Sequence, residues 1–371
     1  MKASTIQMLS SGALSASSLL IPNLARDQFG SNTAEIGLIV AAYSAALFFS
    51  SYVFGRYSDV YGRKFVLKAG LLLSVSAAFL QVFADNAISL LIVRVFVGLC
   101  AGMYPSALLA HVYETDKKVG KFTSLGALGF GFGVFAAGFI AIWFSIDGIF
   151  LFSSLLMAIA FLVALRLPMK GETRYKVPLF PKQILKRNFP VYASIMFRHT
   201  GANMIWVIYP LFLADLGAND AFIGVIYGIN AIGQFVFMMY CDRIGSSRLV
   251  AIGFIMSIIT FPSYTLAAEY WQIIPAQIMI ALAWSTLYIG AIKYVMERNE
   301  EKGTSAGLLQ SSLSISAILG AILGGAAAEI YGYHGCMYLA TGIAAIGLVL
   351  FIFTDRYSTQ HLDSNLTPSE P

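Results

Sequence analysis

Polar and apolar positions alternate along this chain on the scale of whole segments. Apolar runs, each near the roughly 20 residues a helix needs to cross a bilayer, are closed by short turns of charged, Gly or Pro residues. Twelve such runs lie at approximately 5–23, 34–55, 66–84, 88–112, 120–144, 147–166, 188–214, 219–240, 248–268, 271–295, 303–328 and 334–354. They are far longer than the ~9–11 residues of a barrel strand, and a helix satisfies its own backbone polar groups in lipid. The pattern therefore predicts an all-α membrane protein with twelve transmembrane helices. The longest polar connection, 168–187, holds Lys170, Arg174, Lys176, Lys182, Lys186 and Arg187 against the single acid Glu172. It is read as a basic cytoplasmic linker lying near anionic headgroups. It separates an N-terminal bundle of six helices (1–167) from a C-terminal bundle of six (188–354), and a polar tail, 355–371, is expected to be disordered.

A weak internal repeat supports that division. Asp59 and Gly62 recur as Asp242 and Gly245, Ile36-Gly37 as Ile223-Gly224, and Gly120 after Glu114 as Gly303 after Glu297. The two bundles are thus predicted to be pseudo-symmetric. Such repeats place a substrate site near the bilayer midplane at the repeat interface, which points to alternating access.

Composition sharpens the class. The chain is 58% hydrophobic and 12% charged, with a mean hydropathy of +0.75, outside the range of soluble domains. Its net charge of +5 and pI near 9.0 follow from topology. Of 24 Lys and Arg, only Arg26 falls in an outer loop and Arg94 and Arg198 within spans. The rest border the loops assigned to the cytoplasm, so both termini are expected there, and nucleic acid is not an expected partner. A secretory signal is rejected for residues 1–22: Gly12 and several serines interrupt the run and no small-residue cleavage site follows. Cys100, Cys241 and Cys336 have no metal-ligand spacing and read as packing residues. The Asn365-Leu366-Thr367 sequon faces the cytoplasm and carries no glycosylation meaning.

The most distinctive turn is GRYSDVYGRKFVL, residues 55–67. Asp59 there can accept hydrogen bonds from Arg63 or from free N–H groups at a neighbouring helix start. Gly55 and Gly62 permit tight turning and close approach, and Arg63 and Lys64 are expected to hold the loop at the headgroups. The alternative is a purely topogenic charged turn. The spelling resembles the loop between helices 2 and 3 of the major facilitator superfamily. That resemblance implies that Asp59 clamps the cytoplasmic gate while the cavity opens outward. In the second copy, Asp242, Arg243 and Gly245, Ser246 and Ser247 replace Arg63 and Lys64, so a weaker latch is expected.

The fourth span carries Arg94, Gly98, Gly102 and Pro105 on one face. An arginine costs roughly 2.5–3.5 kcal/mol near the bilayer centre, so Arg94 should face a wet cavity or a partner, or snorkel outward. It also resembles the arginine of the family's helix 4 motif. Small residues four apart, Gly98/Gly102, Gly129/Gly133 and Gly320/Gly324, read as close helix contacts, and Gly138 and Gly325 extend the set. The fifth span resembles the family's exporter-associated motif, with Val134 and Ala137 departing from it and Ala321 at the proline position of the helix 11 counterpart.

The seventh span sets His199, Asn203, Trp206 and Pro210 on one face, with Arg198 at its border. Tyr227, Asn230 and Gln234 stripe the eighth span, and Trp284 and Tyr288 the tenth. Together with Arg94 these are the candidate substrate-binding residues; interhelical bonding and aromatic packing is the alternative. No acid lies near a midplane, so the embedded charge is positive. This favours an anionic or polar substrate, with His199 the intramembrane group suited to proton exchange.

The resemblance implies a secondary active transporter that moves a small organic solute, most like drug and metabolite exporters, with proton antiport. Uptake or exchange of an organic anion, and a membrane sensor on a transporter scaffold, are the alternatives. No nucleophile–base pair, metal cluster or phosphate loop is found, so neither enzyme activity nor a metal or other cofactor is expected. The expected partners are a small-molecule substrate, a coupling proton and the lipid of the cell membrane, with the chain acting as a monomer.

Overall fold

The computed structural model describes residues 2–31, 33–144, 146–169 and 174–364. Every regular element in it is helical: α1 (Lys2–Leu19), α2 (Ile21–Asp27), α3 (Thr33–Tyr61), α4 (Arg63–Leu80), α5 (Ala87–Met103), α6 (Pro105–Thr115), α7 (Val119–Phe144), α8 (Ile146–Leu165), α9 (Lys182–Asp215), α10 (Asp220–Tyr240), α11 (Ser246–Ser263), α12 (Ile274–Glu297) and α13 (Lys302–Ser364), with short 3-10 turns between some of them. Nine helical stretches among the described residues are long and apolar enough to cross a membrane: Leu38–Tyr61, Arg63–Phe83, Ala87–Thr115, Val119–Ala141, Ile146–Leu165, Phe222–Arg243, Ser246–Leu266, Tyr270–Glu297 and Lys302–Asp355. The chain is a multi-pass membrane protein. α1, rich in serine, and α9, interrupted by Arg198, His199 and Asn203, fall outside the nine.

Several expected boundaries move for local reasons. The run at 88–112 becomes α5 and α6, because Pro105 opens a new helix at a position where its missing N–H costs nothing. The runs at 303–328 and 334–354 form one element broken at Gly332, whose φ of +68° and ψ of 178° leave the helical region. α9 begins at Lys182 rather than near 188, drawing Lys186 and Arg187 into its first turns. The last element continues through Ser364; of the expected tail, residues 365–371 with the sequon lie outside the described residues, as do linker residues 170–173.

Two compact units emerge. Unit 1 is Met1–Leu179 with Ala231–Asp242 and Glu300–Ile315; unit 2 is Phe180–Asn230, Arg243–Asn299 and Ser316–Pro371. Unit 1 thus takes in the end of α10 and the start of α13.

Within unit 1, Gly98 and Gly102 of α5 lie against Tyr43, Ala46, Leu47 and Ser50 of α3, and Gly129 and Gly133 of α7 against Met8, Gly12 and Ser15 of α1. Within unit 2, Gly320 and Gly324 of α13 lie against Thr200, Asn203 and Met204 of α9. These six glycines bring backbones together, as small residues do in lipid. Gly138 and Gly325 do not: a side-chain carbon at either would meet nothing within 4 Å. Gly253 and Gly290, which knit α11 to α12, were not singled out by four-residue spacing. Large apolar side chains such as Phe83, Ile88, Phe135, Phe139 and Leu162 are exposed, a liability in water and the normal surface of a helix in lipid. All three cysteines are buried and none is in a disulfide.

Candidate functional site

The 55–67 turn is built by Gly62, whose φ of +112° ends α3 and lets α4 start at Arg63. One turn earlier Asp59 is 1% exposed. Its Oδ1 accepts from the Gly303 N–H at 3.1 Å, and its Oδ2 from the Thr304 N–H at 2.7 Å and the Thr304 hydroxyl at 2.9 Å. Those are free donors of the first turn of α13, where the helix dipole favours a carboxylate. Gly55 makes room: a side-chain carbon there would stand 2.7 Å from the Gly303 carbonyl oxygen and 2.9 Å from the Gly307 Cα.

Arg63 corrects its expected role. It does not reach toward headgroups: at 6% exposure it turns inward, pairing with Asp59 at 3.3 Å and with Glu114. Two carboxylates flanking the guanidinium outweigh the water it would find outside. Lys64 stays exposed.

The second copy repeats the geometry with different chemistry. Asp242 accepts from the Gly120 N–H at 2.8 Å and the Lys121 N–H at 3.2 Å, in the first turn of α7. Ser246, standing where the first copy has Arg63, donates to Glu297 at 2.5 Å, as Arg63 does to Glu114. Arg243 and Gly245 are exposed; Gly245, at φ −64°, precedes α11 in ordinary extended backbone with nothing packed on it.

A strap lies beside the first latch. The Tyr175 N–H donates to the Asp59 carbonyl at 3.0 Å, Arg56 Nε donates to the carbonyls of Val177 at 2.8 Å and Pro178 at 3.1 Å, and Tyr52 donates to the Leu179 carbonyl. Burial, with the Glu114 and Glu300 carboxylates adding to it, pushes the Tyr175 phenol above its usual range.

Arg94 lies in the interior of unit 1, 3% exposed, so it does not snorkel. Its Nη1 donates to Gln81 and its Nη2 to Ser18, both at 3.1 Å, and its guanidinium sits 4.3 Å from the Tyr43 ring centre. The partners come from three elements, which makes this arginine a tie inside the unit.

Unit 2 gathers the aromatic candidates. His199 stacks on Trp284 at 4.9 Å and Trp284 on Tyr288 at 5.0 Å. Trp206 and Tyr227 meet at 5.3 Å, with Tyr209 touching both. Asn203 donates to the His199 carbonyl at 2.7 Å, a bond inside its own helix. Arg198, 2% exposed, gives Nε to Ser257 at 2.8 Å and lies over Phe261 and Trp284 at 5.4 and 5.5 Å. Asn230 is buried in the same unit, whereas Gln234 belongs to unit 1 and Arg94 likewise.

Thr304, Glu114 and Ser257 escaped the reading of the chain. The repeat carried a signal for two of these partnerships, since Glu114 and the Gly303 turn were already paired with Glu297 and Gly120; a serine on an apolar helix carries none. Among the described residues no group of three His, Cys, Asp or Glu is placed to hold a metal.

A family model described as the Major Facilitator Superfamily matches residues 3–197 and again residues 191–368. The chain is 23% identical over 357 residues to the quinolone resistance protein NorA of Staphylococcus aureus, covering 91% of this chain and 92% of that protein. It is 26% identical over 355 residues to the uncharacterized MFS-type transporter MJ1560 of Methanocaldococcus jannaschii, covering 88% and 91%. The crystal structure of the human organic anion transporter MFSD10 (TETRAN) aligns with a TM-score of 0.76 at 14% identity, over 94% of this chain and 98% of that one, a likeness of fold.

Proposed function

The chain belongs to the major facilitator superfamily, a family of transporters, and we propose that it is a secondary active exporter of small organic solutes working by alternating access. The observation that carries this reading is the repeat-related pair of carboxylate latches. Asp59 bonds the start of α13 and Asp242 the start of α7, each joining segments far apart in sequence through bonds a helix start can make and release. The likeness to NorA, named for quinolone resistance, favours outward movement of drug-like compounds, and proton antiport is the coupling proposed.

The twelve-helix, two-bundle arrangement belongs to the same proposal. α1, α9 and the division of α13 at Gly332 supply the three spans beyond the nine. The chain is placed in the cell membrane as a monomer with both termini cytoplasmic, so that the 55–67 turn and the 168–187 linker lie on the cytoplasmic side. The aromatic set of unit 2 is the proposed substrate contact.

Proteoliposomes loaded with a fluorescent drug panel test this reading. An imposed proton gradient should drive movement of at least one compound, and a protonophore should abolish it. Movement that ignores the gradient would remove proton coupling, and no movement of any compound would remove the exporter reading.

A further inference from the structure

Neither embedded arginine forms an ion pair among the described residues, and the two differ in which guanidinium nitrogens find a partner. Both terminal nitrogens of Arg94 are bonded, to Gln81 and Ser18, leaving its Nε unpartnered. Arg198 is the reverse: its Nε is bonded to Ser257, while its buried Nη2 has no hydrogen-bond partner. No carboxylate forms an ion pair with Arg198 among the described residues. Ser257 is neutral, and the flanking rings of Phe261 and Trp284 are weak substitutes for a counter-ion.

Its surroundings are shaped for one. The terminal fork of an arginine is the part that grips a carboxylate. Two aromatic faces flank it, and Trp284 continues into the stack with His199 and Tyr288. Three further buried polar atoms in this unit, His199 Nδ1, Tyr209 Oη and Gln277 Nε2, also lack partners. Phe261 and Tyr209 line a closed apolar seam with Trp206 and Tyr264 that holds no space for a water in this state, so a ring would find an apolar wall beside the cation once the seam opens.

We infer that Arg198 is the anion-binding group of unit 2 and that its ligand is an aromatic monocarboxylate, the carboxylate on the arginine fork and the ring against Phe261 and Trp284. This deepens the exporter reading and rests on it for access, since Arg198 is 2% exposed and alternation is what would open it. An inorganic monoanion shares the charge and lacks the ring.

Purified protein in chloride-free detergent buffer is titrated with benzoate, benzyl alcohol, benzylamine and chloride while its melting temperature is followed, since a ligand of the folded state stabilises it. Benzoate is expected to raise the melting temperature and the two uncharged or cationic analogues to leave it unchanged. Arg198→Gln should weaken benzoate by at least about thirtyfold, because it removes the charged partner. Arg198→Lys, which keeps the charge and loses the fork, and Trp284→Ala, which removes one ring, should each weaken it less. These two carry the test if Arg198→Gln does not fold. Equal stabilisation by benzylamine, or benzoate affinity unchanged in all the variants, overturns the inference. Stabilisation by chloride with none added by benzoate overturns the carboxylate assignment.

Transport is read separately in liposomes. Arg198-dependent benzoate binding without movement of any solute keeps the inference and removes the exporter reading. Movement of other solutes with no benzoate binding does the opposite.

Discussion

Thr304 meets Asp59 twice, through its backbone N–H at 2.7 Å and its hydroxyl at 2.9 Å. The two bonds separate the helix start from the side chain as contributors. Thr304→Val keeps the first and loses the second, and should lower stability by about 1 kcal/mol. Asp59→Asn removes the charge from all three bonds and from the Arg63 pair. It should cost about 2 kcal/mol or more and slow liposomal transport by about tenfold or more if the latch sets the population of a working state. Melting temperature and initial transport rate check both.

Ser246 stands in the second copy where Arg63 stands in the first, with a hydroxyl in place of a guanidinium. Ser246→Arg should restore the pairing that Arg63 makes with Glu114, now with Glu297. Because this surface is more open, the gain should be about 0.5 kcal/mol, with slower turnover as the readout that ties it to the latch. Glu297→Gln should erase the gain.

The glycines separate by what surrounds them. Gly133→Ala and Gly320→Ala push a methyl into facing backbone and should each destabilise by about 1–3 kcal/mol. Gly138→Ala and Gly325→Ala meet open space in a helix and should be neutral or stabilising by up to about 1 kcal/mol. Thermal unfolding of the four variants in one detergent decides it.

Arg94 and Arg198 look alike along the chain and should behave oppositely. Arg94→Ala abandons Gln81 and Ser18 in the core of unit 1 and should cost about 3 kcal/mol while leaving the ligand profile of the survivors unchanged. A thermal-shift panel on wild type and variant measures both quantities.

Arg56→Ala should loosen the strap. With two carbonyls of residues 177 and 178 losing their donor, trypsin should cut after Lys176 faster, by about tenfold for a loss near 1.4 kcal/mol. Time-resolved limited proteolysis in detergent reads it directly.

What was legible along the chain and what was not divides by range. The helical runs and the Gly62 turn rest on neighbours a few positions apart, and Asp59 announced itself because a carboxylate between two apolar runs needs donors. The inward turn of Arg63 depended on Glu114, 51 positions on, and the bond from Arg198 to Ser257 on a helix 59 positions away. Gly138 and Gly325 show the converse: a glycine beside a contacting pair marks a contact only if another backbone arrives. The start of α9 at Lys182 was hidden because basic residues form helix as readily as apolar ones, and a hydropathy pattern cannot see them doing so.

Asp59 also serves two joints with two different parts of itself. Its carboxylate holds the start of α13, while its carbonyl oxygen receives Tyr175 of the strap. Side-chain mutagenesis reaches only the first. Replacing the peptide bond after Asp59 with an ester weakens that carbonyl as an acceptor and leaves the carboxylate in place, while it also takes the Val60 N–H out of the α3 ladder. The hinge of the latch and the anchorage of the linker are therefore chemically separable at a single residue.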